Sequence, residues 1–328
     1  MQANAIHFTA MRDVLFGPRG LRAGWRVVLF VVVLLAWALV IGKVWHAVMP
    51  APSHATQMWP HSAIIGESAL VVILILTLGV LSLLDGTSTS AYGLPASGII
   101  SKRFFAGVLG GFLGLTLVLV LMRIFHGYYF GVVTGNVAFE ARFAVEWAVA
   151  FLLVGFAEEV LLRSYLLFSL ARGLGFWIAA VITSVIFALA HVHNPGETPL
   201  GIGAVFIVGM LFCFFVRRTG DLWFPIGFHA AWDWAESYFY GVPDSGTVSA
   251  GTLLHPSFSG ATWLSGGSAG PEGSAICYIV IALLAIACHL LYPQARYRFD
   301  MPLHGPVNPL QPPLAVGTPT DTPVDRRA

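Results

Sequence analysis

Carboxylates and imidazoles placed where water is scarce are well suited to moving protons, and this sequence sets several of them inside long apolar runs. "GFAEEVLLRSYLL" (155–167) carries Glu158, Glu159 and Arg163, "VIFALAHVHNP" (185–195) carries His191 and His193, and "GFHAAWDWAESYF" (227–239) carries His229, Asp233 and Glu236. A charge near the middle of a membrane span costs about 2.5–3.5 kcal/mol, so Glu158, Glu159, Arg163 and Asp233 left unpaired would together cost roughly 10 kcal/mol. Such groups persist by pairing, by facing a wet cavity or by giving up their charge. Glu159 and Arg163 stand four apart, share a helix face and can form a structural ion pair. Glu158 is turned about 100° from Glu159 and is left to face a cavity, where a carboxylate can accept a proton from water. Phe187 and His191 are also four apart, with Phe187 placed to back the ring, whereas His193 lies off that face next to the stop at Asn194–Pro195. His229 and Asp233 repeat the spacing. Asp233 either hydrogen-bonds His229 and fixes its tautomer, or the two ligate a metal from one face. Glu236 falls three residues further on, at the expected outer rim.

The elements that must position these groups are membrane helices. The 328 residues are 57% apolar and only 10% charged, against about 25% charged in ordinary soluble domains, and the mean hydropathy is +0.79. No basic patch or nucleic-acid motif is present. Cys213, Cys277 and Cys288 sit in apolar runs and read as packing residues. Apolar runs long enough to span occur at 25–47, 63–84, 104–125, 143–170, 174–193, 200–216, 222–240 and 274–292. The fold class expected is all-α, a polytopic membrane bundle of about eight transmembrane helices. The first run reads as an uncleaved span rather than a signal peptide, because many spans follow it.

With the N-terminus inside, Arg12, Arg19, Arg22, Arg26, Lys102, Arg103, Arg172, Arg217, Arg218, Arg296 and Arg298 fall on the inner side and only Lys43, Arg123 and Arg142 on the outer. That bias follows the positive-inside rule and places both termini in the cytoplasm. Residues 1–24 form a cytoplasmic N-terminal segment and 25–240 the bundle, with the core of interest at about 140–240. Residues 241–273 form an extracytoplasmic Gly/Ser-rich loop with a short interfacial piece near Leu253 or Trp263, 274–292 the last span, and 293–328 a Pro-rich disordered cytoplasmic tail. Counting rise from the inner charges, Glu158 lies roughly 21 Å from Arg172, His191 about 25 Å from the "GLG" turn and His229 about 17 Å from Arg218. Three helices therefore deliver their polar groups to one layer.

Glu158-Glu159-x-x-x-Arg163, Phe187-x-x-x-His191 and His229-x-x-x-Asp233, in that order on successive spans, resemble the three signature motifs of the CPBP intramembrane proteases. That family comprises the type II CAAX prenyl endopeptidases and the Abi proteins. The resemblance covers about residues 140–240. It implies an endopeptidase that hydrolyses a peptide bond of a membrane-associated substrate. Glu158 matches the family's water-activating glutamate, Glu159 and Arg163 its supporting pair, and His191 and His229 its histidines. Asp233 matches a position that is Asn in the prenyl endopeptidases and Asp or Asn in bacterial members; an ionised Asp cannot donate to an oxyanion as Asn can, which leaves it either to orient His229 or to bind metal. Glu158, His191, His229 and Asp233 either hold Zn²⁺ in a tetrahedral N/O site or work without metal, the histidines donating to the tetrahedral intermediate. The implied partners are a peptide or protein substrate in the membrane and the bilayer, with no nucleic acid. The implied location is the cell membrane. The competing reading is a non-proteolytic membrane protein, an ion or proton path or a bacteriocin-immunity scaffold.

Overall fold

The structure, a computed structural model, describes residues 14–17, 20–48, 57–133 and 135–297. Most of the expected N-terminal segment, and the tail beyond Tyr297, lie outside the described residues. The elements in order are β1 (Phe16–Gly17), β2 (Gly20–Leu21), α1 (Ala23–Val48), α2 (Pro60–Asp85), α3 (Lys102–Ile124), β3 (Tyr128–Tyr129), α4 (Val137–Arg163), α5 (Tyr165–Leu174), α6 (Phe176–His191), α7 (Pro199–Thr219), α8 (Trp223–Asp233), β4 (Ser257–Phe258) and α9 (Ala275–Leu291). α8 runs straight into a π-helical turn over Trp234–Phe239. The chain is thus an all-helical bundle. Its strands make only two short antiparallel pairs, β1 with β2 and β3 with β4.

Local sequence sets the helix ends. Ser101 caps α3 by accepting from the Phe104 amide at 3.2 Å, Asn136 caps α4 through Phe139 at 2.9 Å and Thr198 caps α7 through Gly201 at 3.1 Å. Pro60 and Pro199 open α2 and α7, and Gly86 closes α2 in the left-handed conformation at φ 62°. By length and composition α1, α2, α3 and α7 are apolar enough to cross a membrane, while α6 and α9 are shorter apolar helices. Large apolar side chains such as Leu39, Leu83, Leu113, Ile186 and Leu290 point outward along these helices. Outward apolar faces are what lipid, rather than water, solvates.

Two features differ from the expected spans. The run 143–170 is not one helix. α4 ends at Arg163, Ser164 adopts φ −90°, ψ −121°, and the ten-residue α5 follows. The Ser164 hydroxyl donates instead to the Tyr92 carbonyl at 2.8 Å. A depth counted along one helix from Arg172 to Glu158 therefore does not apply. The segment 241–273 is no open loop but an ordered cap across one end of the bundle. Its amides and carbonyls bond Met58 (Val248 and Ala250, 2.8 and 2.9 Å), Gly196 (Gly246, 3.0 Å) and Tyr238 (Leu253, 2.8 Å). Residues 293–297, where the tail begins, also pack on the bundle, with Tyr297 edge-on to Phe168 at 4.2 Å.

Apolar burial falls into two main clusters. One is built mainly by α1, α2, α4, α5 and α6 around Leu74, Tyr165 and Phe168, with Val205, Cys213 and Ile226 added from α7 and α8, and the other by α3, α7, α8 and α9 around Leu119, Phe215, Phe228 and Val280. The three cysteines are buried and unbridged. At the far end of α2, Arg26 of α1 forks onto Asp85 at 2.6 and 2.8 Å and Tyr92 donates to the same carboxylate at 2.5 Å.

Candidate functional site

Close helix approach positions the site. Gly107 and Gly111 on α3 face the Phe224 and Phe228 carbonyls of α8, and a Cβ at either glycine would overlap those oxygens. On the other side of α8, Gly155 of α4 leaves a Cβ position only 3.0 Å from the Ala230 amide and 3.1 Å from the Ile226 carbonyl. Small residues at i and i+4 let helix backbones meet in this way. α8 is held between α3 and α4, with His229 against the glutamates.

Glu159 and Arg163 are fully buried, and Arg163 Nη1 donates to Glu159 Oε1 at 3.0 Å. The guanidinium lies over the rings of Phe187 (4.3 Å) and Phe212 (5.4 Å). Phe187 belongs to the first apolar cluster and Phe212 to the second, so Arg163 joins the two. The same Glu159 oxygen accepts a bond from His229 Nδ1 at 3.2 Å. The carboxylate expected to pair with Arg163 thus also holds His229 Nδ1, a contact that was one of two roles open to Asp233.

The other edge of the ring, Nε2, faces Asp233 Oδ2 at 3.5 Å and Glu158 Oε2 at 3.7 Å. Both separations exceed a direct hydrogen bond. Glu158 Oε2 is buried without a partner, although 30% of its side chain is accessible. His191 Nδ1 donates to the Phe187 carbonyl at 2.8 Å, which leaves Nε2 as its open position. Phe187 packs edge-on to both imidazoles, 4.8 Å from His191 and 6.1 Å from His229. Glu158, Phe187, His191, His229 and Asp233 line one cavity of about 320 Å³. Glu159 and Arg163 stand behind it. His193 is exposed and takes no part.

The cavity also has walls that the spacing of motifs did not reveal. Glu67 of α2 lines it, as do Asn194 and, from the cap, Asp244, Ser245 and Glu272. Glu67 was detectable in principle, as a lone carboxylate in the apolar run "IIGESALVVIL". Asp244 and Glu272 were not, because acidic residues are ordinary in a Gly/Ser-rich segment. Glu236, expected at the outer rim, is fully buried. The π turn and the overlying cap enclose it. Desolvation, reinforced by Asp233 and Glu272, pushes the Asp244 carboxyl well above the usual carboxylate range.

The expected zinc set can be tested by its convergence. Glu158 and Asp233 approach the same nitrogen of His229, and His191 holds its ring against the Phe187 carbonyl. Among the described residues, the group of three or more His, Cys, Asp or Glu side chains with ligand atoms mutually within 4.8 Å is Glu236, Asp244 and Glu272. The Glu158, His191, His229 and Asp233 set does not converge in that way.

Residues 140–235 match a family model described as type II CAAX prenyl endopeptidase Rce1-like. No curated protein matches the chain. The matched segment runs from α4 into the π turn and contains all seven residues singled out by the motifs. Over this segment the chain matches a family of CAAX-type membrane proteases. α1 to α3, the whole cap and α9 lie outside the match.

Proposed function

We propose that this protein is a multi-pass membrane endopeptidase that cleaves a peptide bond of a membrane-associated protein or peptide by carboxylate-activated water. The observation that carries the reading is the division of labour around His229. One nitrogen is held by the buried Glu159, and the other is presented, with Glu158, to a cavity. The arginine and lysine bias supports both chain ends on the cytoplasmic side.

Glu158 takes one proton from a water in the cavity, and His191 Nε2 accepts a hydrogen bond from the other. The water oxygen attacks the substrate carbonyl carbon. His229, carrying both protons with Glu159 and Asp233 as counter-carboxylates, donates from Nε2 to the developing oxyanion. As the C–N bond breaks, protonated Glu158 returns its proton to the leaving amine. Asp233 acts through His229, which accounts for Asp where related enzymes have Asn.

The test uses purified full-length wild type and Glu158→Gln with an internally quenched farnesylated peptide. New N-termini in membranes expressing each form are compared in parallel. Wild type should generate cleavage products and Glu158→Gln none, with equal thermal unfolding. A Glu158→Gln variant that cleaves as fast as wild type overturns the proposal.

A further inference from the structure

A second cluster of acidic side chains lies beside the proposed catalytic groups and takes no part in the steps above. Glu236 comes from the π turn, whose widened winding appears in the bond from the Tyr240 amide to the Ala235 carbonyl, five residues back, at 2.8 Å. Asp244 and Glu272 come from the two ends of the cap. One oxygen from each lies within 4.8 Å of the others.

The partners of these carboxylates are few. Glu272 accepts from the Trp232 indole at 3.1 Å and the Ser245 hydroxyl at 2.5 Å, and Asp244 accepts from the Ser237 hydroxyl at 3.0 Å. Glu236 is fully buried, and neither of its carboxylate oxygens makes a hydrogen bond of good geometry; the Trp232 indole that approaches it is bonded to Glu272. Among the described residues none of the three has an ion-pair partner. Three carboxylates at this spacing repel one another, and a buried one with no donor carries its full desolvation penalty.

An ion would satisfy all three at once. Oxygens bound to one Ca²⁺ at about 2.4 Å stand at most about 4.8 Å apart, the limit within which these three lie. The donors are oxygen alone, with the Ser237 and Ser245 hydroxyls adjoining. That set suits a hard cation rather than zinc or copper.

We propose that Glu236, Asp244 and Glu272 bind one hard divalent cation of the calcium, magnesium or manganese class, which fastens both ends of the 241–273 cap to the end of α8. The ion is distinct from any metal at Glu158 and His229. It holds the cap that supplies part of the cavity wall, and its binding is independent of whether the cavity hydrolyses peptides.

The experiment uses full-length protein in detergent, stripped with EDTA and titrated with Mn²⁺ followed by its paramagnetic resonance, with Ca²⁺ and Mg²⁺ as competitors. Wild type should bind one Mn²⁺ per chain and gain thermal stability. Glu236→Gln and Asp244→Asn should each weaken binding at least tenfold, and Glu158→Gln should leave it unchanged. In EDTA, Glu236→Gln should unfold at or above the wild-type temperature, because a buried acid crowded against two others is gone. With saturating Mn²⁺ the order should reverse. A role in packing alone predicts no such crossing. Absence of saturable binding by folded wild type overturns the proposal, as does binding that survives Glu236→Gln and Asp244→Asn but is lost in Glu158→Gln.

Discussion

Replacing Glu159 and Arg163 separately and together divides what the pair does for the fold from what Glu159 does for His229. Both side chains are fully buried and joined by one 3.0 Å hydrogen bond. Arg163 Nε and Nη2 have no other partner. Glu159→Leu therefore strands a guanidinium whose remaining support is the faces of Phe187 and Phe212. Removing one partner of a buried pair costs about 3–5 kcal/mol. Arg163→Leu leaves a buried carboxylate and also loses the stacking. Glu159→Leu/Arg163→Leu removes both charges and leaves apolar side chains between apolar neighbours, a change that is often near neutral. It should recover at least about 2 kcal/mol over the worse single variant, within the range of couplings between touching residues. Activity should not recover with it. His229 Nδ1 has lost the carboxylate that orients the ring and offsets its charge, and loss of a catalytic histidine's carboxylate partner lowers turnover by about 10⁴-fold in the best-studied case. Thermal unfolding in detergent and peptide cleavage by the same preparations read the two quantities. A double variant as unstable as the worse single one refutes the account of the pair. A double variant that cleaves at the wild-type rate refutes the role of Glu159 toward His229.

Three further outcomes follow from the packing. Gly111→Ala places a methyl on the Phe228 carbonyl and should lower stability by about 1–3 kcal/mol or more, with loss of cleavage because α8 carries His229 and Asp233; Gly79→Ala, which faces open space, should lower neither. Arg26→Met should cost about 3–5 kcal/mol in thermal unfolding by stranding Asp85, yet leave the turnover of the folded fraction unchanged, since Asp85 lies at the other end of α2 from Glu67. Asp233→Asn should retain stability within about 1 kcal/mol but slow cleavage, since an amide oxygen can still face His229 without offsetting its charge; unchanged cleavage would show that the carboxylate charge is not required.

The residue types and spacings of 140–240 were enough to indicate which side chains meet. A four-residue interval on a helix fixes a shared face whatever the tertiary structure, so Glu159–Arg163 and Phe187–His191 could be read directly. The partner of His229 could not. Asp233 was the local candidate at four residues, but Glu159, seventy residues away, holds Nδ1 because Gly155 brings α4 against α8. The break at Ser164 was hidden because no glycine or proline stands at it and Tyr165–Leu170 continues the apolar run; there the Ser164 hydroxyl makes a tertiary bond to the Tyr92 carbonyl. The cap was hidden for a related reason. Its ties to Met58, Gly196 and Tyr238 are backbone bonds, which nearly any residue type can make and no composition encodes. The all-helical class and apolar exterior followed from hydropathy, whereas the number of crossings depends on helices such as α4 and α8 whose charges blur the signal.

Glu158 and Glu159 show why such a site needs two adjacent carboxylates and not one. A buried carboxylate is most stable when its lone pairs are filled, as Glu159 Oε1 is by Arg163 and His229. A group that must accept a proton from water cannot be filled in that way, because every donor placed on it lowers its basicity and blocks the approach of water. Neighbouring positions on a helix point about 100° apart, so one turn of α4 directs Glu159 into the packed seam and Glu158 into the cavity. Stability and reactivity are thereby assigned to different residues on a single rigid element, and the distance between them cannot drift. Exchanging the two environments, for instance by supplying Glu158 with a lysine from α2 through Glu67→Lys, should stabilise the fold and abolish cleavage together. A Glu67→Lys variant that is more stable and still cleaves at the wild-type rate would mean that Glu158 is not the proton acceptor.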